Sequence, residues 1–310
     1  MKNLVTGGAG FIGSNLIRRL LKNEEDVICL DNFITSKEDN IKELYSKPNF
    51  KLIEKDIKEI IKIDHKVDRI WHLASPASPS FYQKEPLETT KTIFMGTLNM
   101  LELAKNNNSR ILLASTSEIY GKQKNKDLDE KCLGLVNPIG PRSCYGEAKR
   151  LAESISFDYL RKYSTNISIV RIFNTYGPYM QPKDGRVISN FIMQALESKS
   201  LSIYGEGSQR RSFCYIDDIV EGLIKLMNST ITGPLNLGNP FEEYCIKNLG
   251  EIIKNKINPN LNFKYLPLTE DEPLIRKPNI LLARNLLNWN PKINLDKGLE
   301  LTIDYFINQK

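Results

Sequence analysis

Short strand patterns alternate with longer helical patterns through the first two-thirds of this 310-residue chain. Runs such as Ile111-Leu112-Leu113-Ala114 are apolar at every position, which is typical of strands buried on both faces of a parallel sheet. Alternation at this spacing predicts an α/β fold built on a doubly wound parallel sheet. The predicted strands are 3–6, 27–31, 51–54, 69–73, 110–114, 167–171 and 235–237, and the predicted helices are 11–22, 87–105, 145–163 and 216–227.

The composition of the sequence changes after residue 174. Prolines and glycines become frequent, and the predicted elements become shorter and less regular. We therefore expect a large sheet domain over residues 1–174, to which the chain returns at about 212–238. Residues 175–310 are expected to form a smaller, C-terminal substrate domain.

Composition narrows the chemistry that the chain can perform. The net charge of +6 is diffuse, with no run of five basic residues, which gives no support for nucleic-acid binding. Only His65 and His72 are present, which argues against a histidine-rich metal site and a serine–histidine hydrolase, so no metal is expected.

The cysteines and the apolar runs bear on the location of the protein. The five cysteines are an odd number, and none forms a C-x-x-C pair. No apolar run approaches the ~20 residues of a membrane helix. Because a strand pattern begins at Asn3 and leaves no room for a signal peptide, we predict a cytoplasmic protein without membrane contact.

A glycine-rich segment joins the first predicted strand to the first predicted helix. Gly8, Gly10 and Gly13 form a G-x-G-x-x-G pattern, and Gly7 adds the looser G-x-x-G-x-x-G. Such glycines allow a tight turn and let the backbone approach a pyrophosphate at the helix N-terminus. Asp31 ends the next strand, where a carboxylate accepts hydrogen bonds from a ribose and repels a 2′-phosphate. The segment predicts a dinucleotide site of the Rossmann type that prefers NAD to NADP.

A Tyr-x-x-x-Lys pattern lies in the helix predicted over 145–163. Residues four apart share a helical face, so Lys149 can lie beneath Tyr145. The pKa of an unperturbed tyrosine is about 10, which is too high for a base at neutral pH. The lysine ammonium and a positively charged nicotinamide favour the phenolate while burial opposes it, so we predict that the two charges prevail. Such a phenolate can take a proton from a sugar hydroxyl while the carbon passes a hydride to NAD⁺.

With these motifs, the sequence resembles the extended short-chain dehydrogenase/reductases that act on nucleotide sugars. The similarity covers about residues 3–306 and is closest to the decarboxylase branch of that family. The segments L-A-S-P-A-S-P at 73–79 and V-N-P-I-G-P-R at 136–142 are typical of this branch, whereas the glycine and Tyr/Lys motifs are shared by the whole family. The resemblance implies NAD-dependent conversion of UDP-glucuronate to UDP-xylose, in which C4 is oxidised, the 4-keto acid loses CO₂ and C4 is reduced again.

The resemblance also implies roles for individual residues. Tyr145 is expected to be the base with Lys149 as its partner, and Thr116 or Ser117 is expected at the reacting hydroxyl. Glu118 and Arg211 are expected to handle the glucuronate carboxylate and the carbon that it leaves. The implied cofactor residues are Gly7, Gly10, Phe11, Ile12, Gly13, Asp31, Asn32, Thr35, Asp56, Ile57, Leu73, Ser75, Thr92, Tyr145 and Lys149, and the implied substrate residues are Lys91, Asn99, Asn174, Arg186, Tyr204, Arg211 and Arg276. The relatives further imply that residues 175–310 bind the nucleotide sugar and that a homodimer forms through the helices at 87–105 and 145–163.

Two sister reactions of the family, 4,6-dehydration and 4-epimerisation, remain alternatives. A dehydratase must protonate a leaving hydroxyl, and the position that holds Asp in that branch is Ser117 here, whose hydroxyl is a poor proton donor. The 4-epimerases usually carry a small residue in place of Glu118. Ser117 and Glu118 together with Arg211 therefore favour decarboxylation. A non-catalytic protein on the same fold predicts loss of the Tyr/Lys pair, which is present.

Overall fold

The computed structural model describes residues 1–63, 65–123, 127–182, 184–268 and 271–309. Its helices are α1 (Phe11–Lys22), α2 (Pro79–Tyr82), α3 (Pro86–Asn107), α4 (Ser143–Tyr163), α5 (Val187–Leu196), α6 (Ile216–Met227), α7 (Ile246–Ile257), α8 (Leu281–Leu287) and α9 (Leu295–Asn308). Its strands are β1 (Lys2–Thr6), β2 (Asp26–Asp31), β3 (Phe50–Glu54), β4 (Arg69–His72), β5 (Arg110–Thr116), β6 (Asp127–Leu128), β7 (Ile167–Ile172), β8 (Thr175–Tyr176), β9 (Leu201–Tyr204), β10 (Arg210–Ser212), β11 (Cys214–Tyr215), β12 (Leu235–Leu237), β13 (Glu243–Cys245), β14 (Phe263–Leu266) and β15 (Ile275–Pro278). Short 3₁₀ helices cover Glu38–Asn40, Lys42–Ser46 and Ser117–Tyr120.

The large sheet has the strand order β12–β7–β5–β4–β1–β2–β3, and every neighbouring pair is parallel. Side chains alternate between its two faces. Leu4 joins a core with α3 and α4, whereas the next residue, Val5, joins a core with α1 and α6. Helices therefore cover both faces of the sheet, which confirms the predicted doubly wound α/β fold.

Strand β5 is two residues longer than the sequence predicts. Ser115 and Thr116 continue its pairing with β7, opposite Arg171 and Ile172. A parallel strand can continue wherever its backbone N–H and C=O groups find hydrogen-bond partners on the adjacent strand. The backbone pairing of the strand, and not the hydrophobicity of its side chains, therefore determines where it ends. The polar side chains after the apolar run thus lie within the sheet, at its carboxyl edge.

Helices α3 and α4 likewise extend slightly beyond the predicted ranges. Pro86 opens α3, where a missing N–H costs no helical hydrogen bond. The two helices end at residues in the left-handed conformation, Asn108 (φ 53°) and Ser164 (φ 53°). These caps fix where the long helices end: α3 ends two residues beyond its predicted end, and α4 ends where predicted.

Smaller sheets lie beside the large one. One has the order β13–β10–β15–β6, and the pairs β11–β8 and β14–β9 form two more. The parallel pairing of β10 with β15 places Arg211 opposite Arg276. The division of the chain at residue 175 stays a prediction, because the core that contains Val5 also contains Phe306. Within the described ranges, no helix is both long enough and apolar enough to span a bilayer.

Candidate active site

A cavity of about 370 Å³ lies at the carboxyl edge of the sheet, beside the turn between β1 and α1. Gly7 in this turn has φ +66°, and a Cβ there would lie 2.8 Å from the Cα of Ala74. A Cβ on Gly13 would collide with the carbonyl oxygen of Gly7. Only glycine fits these positions, so the turn lies close against α1 and the segment after β4, as a dinucleotide-binding turn does.

Asp31 lines the same cavity from the end of β2. One carboxylate oxygen accepts the N–H of Ala9 (2.9 Å), and the other accepts the N–H of Phe33 (3.0 Å) and the hydroxyl of Ser36 (2.8 Å). A carboxylate has about four acceptor sites, so one remains for a ribose hydroxyl. Asp31 therefore also holds the glycine turn in place, a role that the sequence does not reveal.

The predicted cofactor residues are largely brought together here. Asp56 does not line the cavity but accepts a hydrogen bond from the Asn32 amide (3.0 Å) and so orients Asn32. Tyr145 and Lys149 line the adjoining cavity instead. The predicted residues that line this cavity are Gly7, Gly10, Phe11, Ile12, Gly13, Asp31, Asn32, Thr35, Ile57, Leu73, Ser75 and Thr92. The glycine-rich turn between β1 and α1 and the free acceptor site of Asp31 fit NAD.

A second cavity, of about 460 Å³, adjoins the first. It is bounded by the end of β5, the start of α4 and strands β10 and β15. Two ligands held in these cavities would therefore meet. The residues that line both cavities are Ile12, Leu73, Ser75, Ala77, Ser80, Ala114 and Arg186.

Tyr145 and Lys149 are buried in the wall of the second cavity, with 7% and 4% of their surfaces exposed. The ring of Tyr145 stacks on Tyr82, with centroids 5.1 Å apart and planes 3° apart. The Lys149 ammonium donates to the carbonyl of Ala114 (2.7 Å) and lies 6.0 Å from the centroid of the Tyr145 ring. The two side chains thus share one face of α4, as predicted.

Burial shifts the pKa values of both members of this pair. Burial raises the pKa of Tyr145 to about 12, although a hydrogen bond with Thr116 and the charge of Arg186 act in the other direction. Burial lowers the pKa of Lys149 to about 8, opposed by Glu153. For the polypeptide alone burial outweighs the positive charges at Tyr145, and the prediction that the lysine ammonium and the nicotinamide together prevail stays a prediction.

A charged cluster of three arginines and two glutamates lines the far side of the second cavity. Arg276 binds both carboxylate oxygens of Glu118, and Arg142 donates to Glu118 at 3.0 Å. Arg142 also donates to Glu272 (2.6 Å), which Arg211 binds from the other side. Burial by itself raises the pKa of Glu118, but Arg276 and Arg142 outweigh it and hold this pKa at about 2. With three arginines and two glutamates, the cluster has a formal surplus of one positive charge.

The structure shows which arginines bind Glu118. Arg276, not Arg211, binds this carboxylate, whereas Arg211 binds Glu272 and donates to the carbonyl of Pro273 (2.7 Å). The separation of residues along the sequence does not show which of Arg211 and Arg276, which lie opposite each other on neighbouring strands, binds Glu118. Sequence reasoning also missed Arg142 as a site residue, although it ends the segment at 136–142 that is typical of the decarboxylase branch.

Several polar groups in the wall of the second cavity are buried and find no hydrogen-bond partner among the described residues. They include the amide nitrogen of Asn174, the hydroxyl of Tyr82 and the Nε atoms of Arg142 and Arg276. A buried unpaired donor costs about 1–3 kcal/mol, so such groups fit a polar ligand that binds them. The other predicted catalytic and substrate residues in this wall are Thr116, Ser117, Arg186 and Tyr204.

Two predicted substrate residues are not brought to either cavity. Lys91 is exposed on α3, and the amide of Asn99 donates to the carbonyls of Ile57 (2.8 Å) and Glu59 (3.0 Å). The geometry does not support their assignment as substrate residues. His72 is a buried core histidine between Thr6 and Thr97, and burial lowers its pKa to about 3.

A dinucleotide cavity that meets a Tyr/Lys pair and an arginine cluster defines an NAD-dependent enzyme for an anionic substrate. The chain belongs to the NAD dependent epimerase/dehydratase family, which matches residues 3–238. It is 50% identical to UDP-glucuronic acid decarboxylase 3 of Arabidopsis thaliana over 307 residues, 99% of this chain and 89% of that protein. It is 47% identical to UDP-glucuronic acid decarboxylase 1 of Danio rerio over 303 residues, 98% of this chain and 72% of that protein. These relatives confirm the resemblance to the decarboxylase branch.

A solved structure has the same fold over both full chains. UDP-glucuronic acid 4-epimerase from Bacillus cereus, in complex with UDP-glucuronic acid and NAD, is 31% identical and superposes with a TM-score of 0.90. The coverage is 100% of this chain and 100% of that one. This likeness supports NAD as the cofactor.

Proposed function

We propose that this chain is an NAD-dependent decarboxylase that converts UDP-glucuronate to UDP-xylose and CO₂. The observation that carries the proposal is Glu118, which two arginines hold ionised in the cavity that also contains Tyr145. The curated relatives at about 50% identity, which are named UDP-glucuronic acid decarboxylases, support it.

The first step is oxidation of the sugar at C4. When bound, NAD accepts the hydride from C4 and returns it at the end. Tyr145, as the phenolate, takes the proton of the C4 hydroxyl and becomes the phenol, and Lys149 stabilises the phenolate before this transfer. Thr116 hydrogen-bonds the phenol, which keeps the Tyr145 oxygen near the reacting hydroxyl.

Loss of CO₂ follows from the oxidation. The sugar carboxylate is then β to a ketone, so the electrons of the breaking bond pass to the carbonyl oxygen and C5 later takes up a proton. The surplus positive charge of the arginine cluster attracts the anionic sugar nucleotide. Glu118 orients the guanidinium of Arg276 toward the cavity, where this group can meet the carboxylate and the carbon that it leaves.

One observation favours a second candidate, 4-epimerisation of the same substrate. The Bacillus cereus structure is a 4-epimerase in complex with UDP-glucuronic acid, and it matches this chain along its full length. Both reactions begin with oxidation at C4. They differ in whether the carboxylate is retained, so the products separate them.

Incubation of the purified protein with UDP-glucuronate and no added electron acceptor tests the proposal. We expect UDP-xylose and CO₂ in equal amounts, with no net NADH, because the hydride returns to C4. UDP-glucose, which lacks the carboxylate, is the matched control and is expected to remain unchanged. Formation of UDP-galacturonate without CO₂ would identify a 4-epimerase. Turnover of UDP-glucose with UDP-glucuronate inert would refute decarboxylation.

We propose that two copies of the chain pair through α3 and α4. These helices pack on each other and expose the apolar side chains of Met95, Leu151 and Tyr163, which a partner copy would cover. Sedimentation is expected to give twice the chain mass of 35.5 kDa. Leu151→Glu is expected to reduce the mass to that of one chain, whereas Leu286→Glu on α8 is expected to leave it unchanged. A single-chain mass for the unmodified protein would contradict this pairing.

We also place the protein in the cytoplasm. A reducing compartment keeps thiols free, and the support for this placement is that the chain's cysteines are unpaired. They are Cys29, Cys132, Cys144, Cys214 and Cys245. Cell fractionation tests it: recovery of the protein in a secreted fraction would contradict it.

A further inference from the structure

A buried carboxylate lies one helical turn beyond Lys149 on α4. Glu153 is 8% exposed and lines neither cavity, so it has no place in ligand binding. With Tyr145 and Lys149 it forms a row at positions i, i+4 and i+8, which share a helical face. The row begins at the proposed base and ends at this carboxylate.

Two strands of the sheet hold Glu153 in place. Arg171 on β7 binds both of its oxygens, with Nε to Oε1 at 3.0 Å and Nη2 to Oε2 at 2.8 Å. The hydroxyl of Ser115 on β5 donates to Oε1. Ser115 and Arg171 lie opposite each other in the β5–β7 pairing. The carboxylate thus contacts β7 and also β5, the strand whose Ala114 carbonyl accepts the Lys149 ammonium.

Arg171 is itself fixed by further contacts. Its Nη1 donates to the hydroxyl of Tyr120 (3.0 Å) and to the carbonyl of Glu130 (3.0 Å). The guanidinium also lies 5.0 Å above the ring of Tyr120. A guanidinium with this many partners holds one orientation, so the carboxylate that it binds is held in one position.

A contribution to the stability of the fold does not by itself explain the buried ion pair of Glu153 and Arg171. Burying two charges costs several kcal/mol, and well-packed apolar side chains of similar size are often as stabilising or more so. The neighbour that the pair stabilises is Lys149, because the hydrogen-bond acceptor of its buried ammonium is a neutral carbonyl. Burial pushes the pKa of Lys149 down, and Glu153 is the charge that counters it.

We infer that Glu153, clamped by Arg171 and Ser115, is a positioning residue for the reaction: it keeps the Lys149 ammonium charged and seated on β5. It acts through Lys149 and touches neither substrate nor cofactor. The inference concerns the same reaction as the proposed function, but its main test uses neither substrate nor cofactor.

The other charged and titratable groups around Lys149 do not supply this charge. His72 on β4 is neutral at physiological pH because burial lowers its pKa to about 3. Glu118, after β5, is engaged by Arg276 and Arg142. The remaining titratable side chains on the elements packed against α4 are Arg110 on β5, Tyr120 in the following 3₁₀ helix, and Glu88, Lys91, Glu102 and Lys105 on α3. Glu88 pairs with Lys58, and Glu102 pairs with Lys105.

Carbon NMR of protein labelled at the lysine Cε positions tests the inference directly. The Lys149 signal is assigned by its loss in Lys149→Arg, and its titration is followed without ligands. We expect a midpoint near pH 8 in the unmodified protein. In Glu153→Gln/Arg171→Gln, which replaces the ion pair by two neutral amides, we expect the midpoint to fall by about one pH unit or more. Glu153→Asp keeps the charge and is expected to retain most of the unmodified value.

A matched pair provides the control. Glu25 and Arg69 form a half-buried ion pair on the other side of the sheet, and Glu25→Gln/Arg69→Gln is expected to leave the Lys149 midpoint unchanged. Because the cationic form of Lys149 is lost as pH rises through its pKa, the alkaline limb of kcat should move to lower pH only in the Glu153 double variant. A folded double variant with an unchanged Lys149 midpoint, or an equal shift in the control, would overturn the inference.

Discussion

Replacing Tyr145 by phenylalanine is expected to lower kcat for UDP-glucuronate by about a thousandfold or more, since general base catalysis contributes about 10²–10⁴ in rate. Phenylalanine keeps the ring that stacks on Tyr82 and removes only the group that takes the C4 proton. The fold should therefore persist. The measurement is the absorbance of NADH formed in a single turnover, which reports the first oxidation separately from the later steps.

Tyr215→Phe is a suitable control for this experiment. Tyr215 is buried to a similar extent, at 3% exposed, but lies on β11 and lines neither cavity. Its substitution should leave the rate of NADH formation within a factor of about two, because no reacting group is removed. Rapid NADH formation by Tyr145→Phe would show that another group removes the proton.

Arg276→Met and Arg211→Met are expected to have clearly different effects. Loss of Arg276 removes the guanidinium that binds both oxygens of Glu118, and we expect kcat to fall by about 10²–10³, as for other groups that stabilise developing charge. Loss of Arg211 disturbs Glu272 at the edge of the cluster, so we expect KM to rise more than kcat falls. Steady-state kinetics with UDP-glucuronate give both constants.

Stability must be measured alongside, because breaking a buried ion pair costs about 3–5 kcal/mol. Thermal unfolding of both variants shows whether a lower rate reflects fewer folded molecules. The companion variant Glu118→Gln keeps the shape of the side chain and removes its charge. If Arg211→Met lowered kcat more than Arg276→Met did, the pairing seen in the structure would not be the one used in the reaction.

The sheet and its long helices follow closely from the sequence. Helices α1 and α6 have the bounds that their apolar periodicity predicts, since their patterns are strong and their ends are unambiguous. The strand at 235–237 also lies where its apolar run predicts. Such local patterns indicate which residues are buried, and a parallel sheet requires strands that are buried on both faces.

The contacts of the site follow from the sequence only in part. The glycine turn and the Tyr/Lys pair depend on short spacings, which a sequence displays directly. The partners of Glu118, Arg142 and Arg276, lie 24 and 158 residues away in the chain, so only the assembled structure shows that these two arginines bind it. The raised pKa of Tyr145 depends on burial by residues from several elements, which no local motif encodes.

The core beneath α1 joins residues from both ends of the chain, among them Leu16, Ile219 and Phe306. A ribosome delivers these residues in order, so α9 can cover its share of the core only after α1–α8 have been made. Until then the growing polypeptide presents an uncovered apolar surface, which favours aggregation. Completion of this core therefore waits for the synthesis of α9, and the yield of folded protein in cells depends on protection of the nascent chain until α9 has been made.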